Sequence, residues 1–173
     1  MILKIMTSLA IVGSSAMIGI SLANRYVQRT NELRELQGAL SRLEAEISHY
    51  STRLPEALKN IGTTAGGETG RLFLMTAENL SGADACSVEE AWKQSLEEGK
   101  KRMSLAAEEY DILMRFGAQL GCTDKEGQKK YITLTLSQLK LQEAKAFEQR
   151  YKYERMYRSL GILGGLALAI LLI

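Results

Sequence analysis

The chain has 173 residues, a formal net charge of +2 and 46% hydrophobic residues, a length that fits one domain and a charge too mild and too locally mixed for a nucleic-acid binder. One proline and 6% aromatics exclude most all-β folds, and the abundance of Leu, Ala, Glu, Lys and Arg matches helical bundles. Cys86 and Cys122 have no paired spacing, so they read as ordinary cytosolic thiols rather than a disulfide framework or a metal site.

In chain order, the first element is an uncharged run of 19 residues from Ile5 to Ala23. It is close to the roughly 20 helical residues that cross a bilayer. Lys4 with Ser21 and Ala23 would also fit a cleavable signal. Arg25, Arg29 and Arg34 follow the run and oppose that reading, because basic residues favour the cytoplasmic side. Leu33, Leu36, Leu40, Leu43, Ile47 and Tyr50 then recur at steps of three and four. This predicts that the same helix continues and packs one face inside a bundle.

Pro55 in "TRLPEALKNIG" suits the first turn of a second helix, with Gly62 as its expected stop. "TTAGGE" reads as a loop. A third helix is expected from about Glu68 to Leu80, with Phe73, Ala77 and Leu80 on one face. In "SVEEAWKQSLEEG", Ser87 and Glu90 form a capping box; Val88, Ala91, Trp92 and Leu96 face one side, and Gly99 ends the helix. Trp92 reads either as a core anchor or as a partner-facing hot spot. A fifth helix, about Leu105 to Leu120, turns Ile112, Leu113, Phe116 and Leu120 inward. Gly121 then supplies a left-handed cap, and Thr123 with Glu126 a further capping box.

The last helix is long. Ile132, Leu136, Leu139 and Ala146 share a sector, and Leu134 and Leu141 lie opposite. That pattern predicts packing on two neighbours and a central position. Its basic stem, Arg150, Lys152, Arg155 and Arg158, leads into Ser159–Ile173, 15 residues without charge. Such a run measures about 22 Å as a helix against about 30 Å of hydrocarbon, short for a full span but able to cross with local thinning and snorkelling of the stem. Tyr26, Tyr151, Tyr153 and Tyr157 fit interfacial anchors. Ser15, Gly19 and Ala23 on the first run, and Gly161 and Gly165 on the last, are small residues through which the two spans could pack closely.

These elements predict an all-α fold: an antiparallel bundle of about six helices flanked by N- and C-terminal transmembrane helices. The expected division is 1–24 for the first span, 25–158 for a cytosolic bundle and 159–173 for the second span, with the bilayer as a partner.

No catalytic constellation is apparent. His49 is the only histidine, which excludes His-rich metal sites and most acid–base triads. "TTAGGETG" lacks the Lys-Ser/Thr of a nucleotide loop. The paired carboxylates Glu89-Glu90, Glu97-Glu98 and Glu108-Glu109 are neighbours that do not converge on a helix, so they read as solvated faces. No enzyme, cofactor, metal or small-molecule substrate is expected. A non-enzymatic platform for a cytosolic partner is the leading reading, and a membrane-tethered regulatory scaffold the alternative.

The stretches "LRELQGALSRLEAEISHY", "LPEAL", "SVEEAWKQSL", "DILMRFGAQLGCTDKEGQKKYITLTLSQL" and "KYERMYRSLGILGGLALAILLI" resemble, in order and over nearly the whole chain, the stage III sporulation protein AB family of endospore-forming bacteria. The most specific parts are Phe116-Gly117 with Leu120-Gly121, Asp124, Gln128 and the Leu160-Gly161 junction. The resemblance implies a helical cytosolic domain between two membrane segments, similar to inner-membrane platform proteins of type II secretion and type IV pilus systems. It also implies a place in a secretion-like channel complex between mother cell and forespore, at the outer forespore membrane. A cytosolic secretion-type ATPase and the other membrane components of the channel would be its partners. For docking the ATPase, the exposed charge of "EEAWKQSLEEGKKR" is the expected surface: Glu89, Glu90, Trp92, Lys93, Glu97, Lys100, Lys101 and Arg102. A plain solvated face is the simpler reading of the same residues.

Overall fold

The computed structural model describes the backbone of residues 2–50, 52–82, 87–121 and 125–172, and their side chains except at 2–12, 15, 16, 125, 158, 161, 162, 165, 166 and 168–172. The described residues form six α-helices and no strand: α1 (Ile2–Ala45), α2 (Leu54–Thr64), α3 (Gly67–Ser81), α4 (Val88–Gly99), α5 (Ala107–Gln119) and α6 (Lys125–Leu172), with a π-helical turn at Glu46–Tyr50. The chain divides into two compact units, one of residues 1–30 and 145–173, the other of residues 31–144.

The second unit is the bundle. Leu33, Leu36, Leu40 and Leu43 are fully buried and Ile47 nearly so, as their spacing requires. Tyr50 leaves the stripe and is 75% exposed. The π turn explains this: its wider winding advances the chain off the 3.6-residue phase, so the next apolar position points outward. Thr52 closes the turn, donating through N to the Glu46 carbonyl at 3.2 Å and through Oγ1 to Glu46 Oε2 at 2.6 Å.

Gly62 does not stop α2, which runs on to Thr64. A Cβ there would lie 2.6 Å from Leu74 Cγ and 2.7 Å from the Leu74 nitrogen, and one on Gly70 would lie 2.2 Å from the Ala65 carbonyl oxygen. The two glycines therefore let α2 and α3 cross at backbone distance. The expected "TTAGGE" loop shrinks to Ala65-Gly66, and Gly67 makes the turn with φ +59°. α5 begins at Ala107, two residues later than expected. Gly121 has φ +85°, the left-handed cap its position implied. The expected Thr123–Glu126 box and both cysteines lie outside the described residues.

In this unit α1 and α6 run antiparallel. Arg34 Nε donates to Glu143 Oε1 at 2.6 Å, Gln37 Nε2 donates to Glu143 Oε2 at 2.9 Å, and Thr133 Oγ1 meets Glu44 Oε1 at 3.4 Å. Arg34 and Gln37 together hold the Glu143 carboxyl below its usual pKa. Ile132 and Leu139 of α6 are fully buried, while Leu134 and Leu141 are 51% and 59% exposed. The central, two-sided packing expected for α6 is thus replaced by burial of one side.

The first unit is a pair of helical segments. Tyr26 stacks on Tyr153 and Tyr157, with ring centroids 5.4 and 6.0 Å apart, and Arg29 Nη1 donates to Gln149 Oε1 at 2.6 Å. Among its described residues on α1, Gly19, Ala23 and Thr30 are buried, a face at helical spacing.

Among the described residues no helix is long and apolar enough to cross a membrane. The transmembrane helices expected at 1–24 and 159–173 are therefore not supported. Most of both apolar runs has side chains outside the described set, and the part that remains is shorter than the roughly 20 residues a span needs.

Candidate interaction surfaces

The charged segment expected to dock a partner straddles α4 and the connection to α5. Ser87 caps α4: its Oγ accepts from the Glu90 nitrogen at 3.2 Å, and Glu90 Oε2 accepts from the Ser87 nitrogen at 3.2 Å. Glu90 is thus occupied with holding the helix start. Arg102 is bonded twice, to Glu68 at 3.0 Å and to Glu98 at 3.2 Å. The Lys100 ammonium sits 5.7 Å over the Tyr110 ring. Glu89, Lys93, Glu97 and Lys101 are exposed; the first three are four residues apart and form one ridge along α4.

Trp92 does not belong to that surface. It is fully buried, with Phe73 and Phe116 edge-on at 5.4 and 5.3 Å between centroids. Its indole nitrogen donates to the Leu113 carbonyl at 2.8 Å, so the polar end of the ring is satisfied. A Cβ on Gly117 would come within 2.2 Å of Trp92 Cδ1. The tryptophan therefore joins α3, α4 and α5, and the hot-spot reading gives way to the core one.

At the α4–α5 connection lies a carboxylate group that sequence reading missed. Glu32 of α1 accepts from the Ser104 nitrogen at 2.7 Å, tying the α4–α5 connection to α1. Burial pushes its pKa up to about 7; the Ser104 bond opposes this, and Glu35, Glu68 and Glu109 add to it. Glu109 is fully buried, not solvated as adjacency suggested, and accepts from the Ala106 nitrogen at the start of α5. Burial, with Glu32 and Glu109 nearby, raises Tyr110 to about 12. A carboxylate three residues into a helix is the cap signal that could have revealed Glu109. Nothing local marks Glu32, whose burial depends on a segment 72 residues away.

Of the small residues expected to pair the terminal helices, Gly19 and Ala23 are buried, and the surroundings of Ser15, Gly161 and Gly165 lie outside the described residues. His49 is exposed. Among the described residues no three His, Cys, Asp or Glu side chains are grouped to hold a metal.

A bundle closed on a tryptophan-centred core, with a charged ridge along α4, defines an all-α module. The chain belongs to the stage III sporulation protein AB family, whose model matches residues 4–173. It is 37% identical over 171 residues to Stage III sporulation protein AB of Bacillus subtilis (strain 168), covering 98% of this chain and 99% of that one. The fold is similar to a solved structure of Stage III sporulation protein AB, with a TM-score of 0.67 and 34% identity, covering 72% of this chain and 98% of that chain.

Proposed function

We propose that the protein is a non-enzymatic, membrane-anchored platform of the sporulation channel complex, holding its bundle in the mother-cell cytoplasm at the outer forespore membrane. A cytosolic secretion-type ATPase docks on the ridge of Glu89, Lys93, Glu97 and Lys101, and other membrane components of the channel contact the anchors. The observation that carries the reading is where the large apolar side chains are left uncovered. Met17, Ile18, Ile20 and Leu22 of α1, with Leu160 and Leu163 of α6, are 40–74% exposed. All lie in or beside the two uncharged runs of the sequence. Apolar side chains turned outward in a group mark a lipid or protein contact, and the arginines and lysines flanking both runs favour a cytoplasmic middle.

The scaffold alternative would use the Leu33–Tyr50 stripe for self-association. That stripe is consumed inside the bundle from Leu33 to Ile47, which favours the platform.

Protease added to inverted and to right-side-out membrane vesicles tests the topology. Cleavage of the α4 region only in inverted vesicles is expected; cleavage only in right-side-out vesicles would end the reading. For the dock, Glu89→Lys with Glu97→Lys is the cleaner variant, because Glu90 is needed for the cap. Loss of ATPase binding by the folded double variant is expected, and undiminished binding refutes this surface.

A further inference from the structure

The face of the bundle between α5 and the first turns of α6 has no role in the reading above. Two hollows adjoin there, one of about 240 Å³ between α5 and α6 and one of about 530 Å³ along α6 itself. Both are lined by Tyr131 and Leu134, the smaller also by Ile112 and Phe116. Leu134 and Leu141 stand seven residues apart, hence on one side of α6, and both are more than half exposed. Their spacing sets up a linear apolar track rather than an isolated surface leucine.

The charge around the track is one-sided. Arg115 lines the smaller hollow, and Lys129 and Lys130 the larger, with Glu126 the one carboxylate among the described residues lining either; beyond them, beside Leu141, the Glu108 carboxylate is engaged by Gln142 at 3.1 Å. All three cations are exposed, and among the described residues none is held in an ion pair.

We propose that this groove docks an acidic amphipathic helix of a partner protein. The helix would set apolar side chains, at i, i+3/i+4 and i+7, against Leu134, Leu141 and Tyr131. Its flanking carboxylates would face Arg115, Lys129 and Lys130. A second copy of this chain fits poorly, because a two-fold contact on this patch brings its own cations together. A bilayer fits poorly as well, since Ile112 and Phe116 line a hollow between α5 and α6 that a flat lipid surface does not enter. The ridge on α4 carries mixed charge and is a separate surface, so the two can be tested independently.

The test uses the full-length chain in detergent micelles and two fluorescent synthetic helices of about 18 residues, five turns. Both carry leucines on one face; one carries glutamates elsewhere and the other lysines. The glutamate helix is expected to bind at least about 10-fold more tightly than the lysine helix, with an advantage that falls as salt screens it. Leu134→Asp should abolish its binding. The triple variant Arg115→Glu, Lys129→Glu, Lys130→Glu should reverse the preference, with circular dichroism confirming intact helices in each variant.

Equal affinity for the two helices, no binding of either, or a glutamate helix indifferent to Leu134→Asp overturns the proposal. So does self-association that Leu134→Asp removes, which would make the occupant a second copy. Attachment to phosphatidylglycerol vesicles that the same substitution removes would make it a membrane contact, with the same consequence.

Discussion

Between residues 31 and 144 the chain hides its largest side chains: Trp92 and Phe73 are fully buried, with Leu33, Leu58, Leu72 and Leu113 around the same core. In the unit of residues 1–30 and 145–173 the order is inverted. Among its described residues the buried positions are Gly19, Ala23, Thr30 and Ala146, while Met17, Ile18, Leu160 and Leu163 are exposed. Water drives large apolar surface inward in the bundle. A helix pair that shows its large residues and packs on its small ones has the pattern that the proposed membrane anchoring calls for, since helices in lipid pack by close backbone approach rather than by hydrophobic burial.

The largest expected effect separates the units. Trp92→Ala should cost the bundle about 3–5 kcal/mol, as loss of a buried aromatic does, read by urea unfolding followed by circular dichroism. Leu163→Ser should leave the same transition within about 0.5 kcal/mol; a comparable loss would erase the distinction. Next comes Gly62→Val, which drives a side chain into the Leu74 backbone and should cost about 1–3 kcal/mol. Ser87→Ala removes the α4 cap and should cost about 1 kcal/mol, with amide exchange accelerating first over the start of α4.

The smallest effect depends on pH. Glu32 has its folded pKa raised from 4.5 to about 7, so the folded state binds a proton that the unfolded chain releases. Its contribution is complete below pH 4.5 and is lost as pH rises through 7. Glu32→Gln keeps an acceptor for the Ser104 nitrogen and removes the charge. At pH 8 the variant should be more stable by at most about 1 kcal/mol, since half the group is in water and screened. The advantage should vanish below pH 4.5. A variant less stable than the parent at pH 8 would show that the carboxylate bond to Ser104 outweighs its burial.

The bundle was legible because its signals are local: the Leu33–Ile47 stripe, Pro55, the Ser87–Glu90 box and Gly121 each act within a few residues. The errors arise where distance decides. Gly62 looked like a breaker, yet its work, with Gly70, is to let two backbones meet. Leu134 and Leu141 matched an apolar face in spacing, but nothing in α6 says how many neighbours cover it. Tyr50 kept the heptad rhythm until one wide turn of backbone broke the phase. Of the expected docking residues, exposure of the α4 ridge followed from periodicity. The capture of Arg102 by Glu68 and the burial of Trp92 between two phenylalanines depend on how α3 and α5 close around it.

The antiparallel contact of Arg34 with Glu143 has a consequence for engineering. It puts the chain's entry into the bundle beside its exit, so the segment 31–144 is a cassette delimited by two neighbouring helical strands. Such a cassette can be grafted onto any antiparallel helical hairpin whose axes lie at ordinary packing distance, about 8–10 Å, without a new linker. A soluble coiled-coil stem in place of the native flanks would carry the bundle into water with its core and both charged faces intact.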